Sequence, residues 1–144
     1  MRFMGLCCCV ALVALVIAGC GGSGPDLGAV TGTVTLDGAA LEGATVEFQP
    51  TAAGGSPSYG TTDASGAYEL MFTFDKKGAL PGEHKVRISK TKPAEGAVPS
   101  GDDDDDDDDE NEIETLPAKY NTQTELTATV EAGKNTADFP LTSE

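Results

Sequence analysis

Apolar side chains recur at every second position in short runs separated by Gly, Pro, Asp and Ser, and this alternation restricts the fold more than any other feature. A period of two puts one face of a strand in a core and the other in water, whereas a helix needs a repeat near 3.6. Val30, Gly32, Val34 and Leu36 alternate with Thr31, Thr33, Thr35 and Asp37, and Ala44, Val46 and Phe48 alternate with Thr45, Glu47 and Gln49. Tyr59 to Thr62 makes a short third run. Tyr68, Leu70, Phe72 and Phe74 form one face of a fourth, with Glu69, Met71 and Thr73 on the other. His84, Val86 and Ile88 define a fifth strand between Glu83 and Thr91, Leu126, Ala128 and Val130 a sixth, and Ala137, Phe139 and Leu141 a seventh. The separators are turn signals: Asp37-Gly38, the loop from Ala53 to Ser58, Asp63-Ala64-Ser65-Gly66, Leu80-Pro81-Gly82 and Gly133-Lys134-Asn135. One-faced strands must cover one another, so the pattern predicts an all-β fold, a seven-stranded antiparallel β-sandwich, with a closed barrel as the alternative.

At 144 residues, the chain has room for one such domain. Its 24 acidic and 9 basic side chains give a formal charge of −15, which makes binding to an anionic lipid surface unfavourable and excludes nucleic acid as a partner. Much of that charge is one block, Asp102 to Asp109 followed by Glu110. Like charges so dense repel within a screening length of ~8 Å, so the block belongs in an acidic low-complexity loop, at about 94–114, between the fifth and sixth strands. The basic residues Lys76, Lys77, Lys85, Arg87, Lys90 and Lys92 concentrate around the fifth strand and the turn before it.

The first 19 residues have the layout of a secretory signal: Arg2, an apolar stretch from Val10 to Ile17, then Ala18 and Gly19. A membrane-spanning anchor is the rival, but the 17 residues from Phe3 to Gly19 are at the lower limit for crossing a bilayer. Ile17-Ala18-Gly19-Cys20 resembles the bacterial lipobox. That resemblance implies cleavage before Cys20, a diacylglyceryl group on its thiol, and an extracytoplasmic protein held on a bacterial membrane. With Gly21 in place of aspartate, it also points to the outer membrane where the cell has one. Residues 20–28 then form the lipidated cysteine and a flexible Gly/Ser tether, and 29–144 the β-sandwich domain. Cys7, Cys8 and Cys9 fall in the cleaved segment, so the mature chain keeps Cys20 alone and no disulfide.

Val30-Thr31-Gly32-Thr33-Val34, Leu41-Glu42-Gly43-Ala44-Thr45-Val46 and Thr62-Asp63-Ala64-Ser65-Gly66-Ala67-Tyr68 resemble the carboxypeptidase regulatory-like domain, a prealbumin (transthyretin)-like sandwich of Ig-like type. Pro81-Gly82-Glu83-His84-Lys85-Val86 and Leu116-Pro117-Ala118-Lys119-Tyr120-Asn121 are similar to small bacterial lipoproteins built on that domain. The resemblance implies a non-catalytic binding or structural module of the cell envelope, whose partner is an envelope protein or a glycan. The absence of GxSxG, HExxH, a Cys/His pair or a phosphate loop from the sequence gives no support to an enzyme.

Three features could carry chemistry. His84 shares the apolar face of its strand and is expected as a satisfied core histidine, because neither a nucleophile nor companion ligands lie near it in sequence. Asp63-Ala64-Ser65-Gly66 offers too few oxygens for calcium and reads as a turn. In the acidic run, Asp103, Asp105, Asp107 and Glu114 have the first, third, fifth and twelfth spacing of a calcium loop, but Asp108 stands where that loop needs glycine. No cofactor is expected; loosely held calcium on the aspartate run is the alternative function.

Overall fold

The computed structural model describes residues 24–93 and 112–144; the signal segment, Cys20 and the aspartate run Asp102–Asp109 lie outside the described residues. Among the described residues the chain is all-β, with one 3-10 turn at Ala118–Tyr120. The first sheet is organised around β1 (Gly28–Leu36). β2 (Ala39–Ala40) and β5 (Ala67–Glu69) run antiparallel to β1, while β12 (Gly133–Thr136) and β13 (Phe139–Leu141) run parallel to it. The second sheet has the order β11 (Thr127–Val130), β8 (Gly82–Ser89), β3 (Thr45–Pro50), β4 (Ser58–Thr61), β6 (Met71–Thr73), β7 (Lys76–Lys77), every pair antiparallel. A separate ribbon pairs β9 (Thr91–Pro93) with β10 (Glu112–Glu114).

Alternation sets which residues meet between the sheets. Val30, Val34, Tyr68, Phe139 and Leu141 from the first sheet and Val46, Phe48, Val86, Ile88 and Val130 from the second are all buried. Phe48 meets Phe139 edge-on, with ring centroids 6.2 Å apart, and Tyr68 stacks on the same ring at 6.5 Å. The Phe48–Phe139 contact joins the two layers, in the face-to-face packing that one-sided strands require, and the Tyr68 stack supports it from within the first sheet.

Several expectations are corrected. The antiparallel sandwich of seven strands becomes thirteen short strands among the described residues, and the first sheet is mixed. Gly133-Lys134-Asn135, read as a turn, lies in β12 and is recruited by backbone pairing with Gly28–Val30. The loop expected at about 94–114 ends earlier, because Glu112, Ile113 and Glu114 pair with Pro93, Lys92 and Thr91. The fourth run is two strands. Leu70 N–H donates to Val30 O in the first sheet, and the next residue, Met71, pairs with Tyr59 in the second. The chain changes sheets there, so Phe74, expected in the core, is fully exposed at the β6–β7 turn. The lysines also separate, since β7 and β8 have β3, β4 and β6 between them.

Gly32 determines the junction between β12 and β13. A Cβ there would overlap Ala137 O and approach Tyr68 Cε1 at 3.0 Å. The bare backbone lets Ala137 tuck against β1, where its N–H donates to Thr31 O at 2.9 Å and its carbonyl accepts from the Tyr68 hydroxyl at 2.6 Å. Asp138 then replaces a ladder acceptor, its Oδ1 receiving Thr33 N–H at 2.8 Å and the Thr33 hydroxyl at 3.1 Å. Burial, with a lesser contribution from the Asp138 charge, pushes the Tyr68 phenol well above its ordinary range, so it remains a donor.

Candidate functional site

The outward side of the first sheet, where it meets the edge of the second, forms an open groove of about 730 Å3. Alternation turns Thr31 and Thr33 outward from β1, and Thr136 and Asp138 border them on one edge. Glu69, Thr61 and Met71 border the other, brought there by the crossing at Leu70. The groove therefore sets threonine hydroxyls and carboxylates among the apolar surface of Ala67, Tyr68 and Met71. Its charges are partly engaged: Asp138 holds Thr33, and Glu69 Oε2 lies 2.8 Å from Lys77 Nζ. This lining suits hydrogen bonding to an uncharged polar ligand and disfavours anions.

Asp63, at the rim of the groove, is the centre of its own turn. One carboxylate oxygen accepts from Ser65 N–H at 2.8 Å, the Ser65 hydroxyl at 2.6 Å and Ala67 N–H at 3.1 Å. These donors, Ser65 foremost, hold its carboxyl below the usual range. Gly66 closes the turn at φ +77°, a conformation that glycine adopts freely.

A smaller notch of about 360 Å3 lies on the second sheet beside Arg87, Asn121 and Glu114. Arg87 donates from Nη1 to Glu47 Oε2 and from Nε to Asn121 O, both at 3.3 Å. Glu114 Oε1 accepts the N–H groups of Lys90, Thr115 and Leu116, each at 2.9 Å. That carboxylate oxygen thus fastens the β9–β10 ribbon to the body. The residues grouped with Glu114 by spacing, Asp103, Asp105 and Asp107, lie outside the described residues, as does Cys20.

His84 is 1% exposed, with its ring 5.7 Å from that of Phe48. Its Nδ1 lies 3.1 Å from Gly82 O, while Nε2 has no partner among the described residues, so the histidine is half-satisfied rather than satisfied. Burial pulls the imidazole below its ordinary range, opposed by the hydrogen bond to Gly82. A depressed folded-state value means that the unfolded chain takes up the proton first. Stability from neutral His84 is then fully present above the ordinary pKa of 6.5 and is lost as pH falls toward the lowered folded-state value. The unfolding free energy is expected to decline by up to about 1.4 kcal/mol per pH unit below that point, before most carboxylates titrate. Urea unfolding of the protein and of His84→Leu at about pH 7.5 and pH 5.5 checks this. The difference between the two pH values should shrink by the histidine contribution in the variant, and equal pH dependence of both would refute it.

The groove was only half visible in the sequence. Outward threonines on β1 follow from alternation, but Asp138 and Met71 reach it through the β12–β13 junction and the change of sheet at Leu70. No protein-family model matches the chain, and no curated protein matches it.

Proposed function

We propose that the protein is a lipid-anchored extracytoplasmic lipoprotein whose sandwich, of the carboxypeptidase regulatory-like type, acts as a non-catalytic binding module of the cell envelope. The groove over Thr31 and Thr33 carries the binding part of this reading: its hydroxyls line an open concavity at the surface, while Asp138 and Asp63 hold the local backbone. The anchor rests on the lipobox-like Ile17-Ala18-Gly19-Cys20, with β1 starting eight residues beyond the cysteine. A lipid with two or more chains holds a protein stably on a bilayer, because each buried methylene contributes ~0.8 kcal/mol.

Cys20→Ser in the full chain is expected to abolish labelling by radioactive fatty acid and shift the protein from the membrane to the soluble fraction. Labelling that survives the substitution would remove the anchor. For the module, cross-linking in living cells should enrich one envelope protein or glycan. That enrichment should fall with Thr33→Arg, which fills the groove with a long cationic side chain; unchanged capture would move the binding surface elsewhere.

A further inference from the structure

We infer that the β6–β7 hairpin is a membrane-contacting element, inserting Phe74 among lipid headgroups and so fixing the orientation of the domain on its bilayer. This rests on the lipid anchor proposed above. Phe74 is 101% exposed, as open to water as in an extended chain, at a turn whose next residues are Lys76 and Lys77. An aromatic side chain that no protein atom covers, beside Lys76, whose ammonium is able to reach lipid phosphate while Lys77 is held by Glu69, is the composition that interfacial segments use. Asp75 is bent back to accept the Thr73 hydroxyl at 2.8 Å, within the turn itself.

The position of the hairpin makes the composition meaningful. Described structure begins at Gly24, where a Cβ would lie 2.8 Å from Lys76 Nζ, and Gly28 bridges to Ala79 just beyond β7. Only three residues, Gly21 to Ser23, lie between Cys20 and Gly24, so even fully extended the four steps span about 14 Å. A lipid on Cys20 is therefore tethered within that reach of the point where Gly24 meets Lys76. Strand directions put the hairpin and the β9–β10 ribbon at opposite ends of the second sheet. β6 runs toward the end of the sheet where β8 begins, whereas the β9–β10 ribbon that flanks residues 94–111 leaves from the end where β8 finishes. The chain's net charge would be repelled by an anionic surface, and contact through the hairpin keeps the β9–β10 ribbon, with Glu112 and Glu114, at the end of the sheet away from the lipid.

The protein contains no tryptophan, so Phe74→Trp provides a single reporter at the hairpin, and Ile113→Trp, on the half-exposed ribbon residue, one at the opposite end. Each variant is purified as the mature lipoprotein and reconstituted into phosphatidylethanolamine–phosphatidylglycerol vesicles, with or without brominated acyl chains. Flotation of the vesicles reports the anchor independently. The expected result is that both variants float, and that the tryptophan at 74 shifts to the blue and loses most of its emission to bromine while the one at 113 does neither. Adding Lys76→Glu should weaken quenching at 74 on these anionic vesicles and leave it unchanged on phosphatidylcholine. Flotation with neither reporter quenched would overturn the hairpin contact and leave the anchor standing, and equal quenching of both would overturn a fixed orientation. Failure to float would overturn the anchor and the hairpin contact with it.

Discussion

Gly32→Ala is expected to lower the unfolding free energy by roughly 3 kcal/mol, the upper range for forcing a methyl group into filled space. The obstacle is backbone rather than a movable side chain, since the new Cβ would overlap Ala137 O. Moving that carbonyl disturbs the hydrogen bond from Tyr68 and the neighbouring bond from Ala137 N–H to Thr31 O, and it shifts Asp138 away from Thr33. Gly38→Ala is the matched control. Gly38 has φ +83° with nothing within 4 Å of a Cβ, so the substitution should cost only the left-handed strain of ~1–2 kcal/mol. Urea midpoints followed by circular dichroism separate the two variants. If they lose equal stability, the Ala137 crossing is not the rigid junction described above.

Phe48→Ala should cost about 4 kcal/mol, within the range measured when a buried aromatic ring is truncated. Phe48 is 0% exposed, packs edge-on against Phe139 across the sandwich and lies against the His84 ring. Removing it opens a cavity where both sheets meet, which rigid β-backbones fill poorly. Against a total stability of about 5–15 kcal/mol, that loss leaves a marginal domain. Phe74→Ala, on the same chemistry, should change stability by less than about 0.5 kcal/mol, because the ring touches water alone. Equal effects at the two positions would contradict the change of sheet at Leu70.

That pair of phenylalanines marks the limit of what alternation reveals. Val30 and Val34, Val46 and Phe48, and Val86 and Ile88 were legible because each strand stays in one sheet, so every second residue keeps one environment. Between Tyr68 and Phe74 the alternation continues, but the sheet does not, and periodicity carries no information about that switch. β12 was illegible for a different reason. Gly133, Lys134, Asn135 and Thr136 contribute no apolar face, and their strand is made by backbone pairing with β1 and by Asn135, whose side-chain amide donates to Ala29 O at 3.2 Å. The turns fared better. Asp37-Gly38 has positive φ at both positions, as a two-residue hairpin requires, and Asp63 to Gly66 folds onto its own carboxylate. The groove lay beyond reach of the sequence wherever it depended on pairings between distant segments.

The parallel pairing of β1 with β12 and β13 ties residues 28–36 to residues 133–141. The first strand therefore has no stable neighbours along that edge until more than a hundred further residues have been synthesised. Closing so large a span comes late and slowly, since its entropic cost precedes any reward from contacts. Here that delay is written into the order of the strands, and the last of them to arrive acts as the clasp.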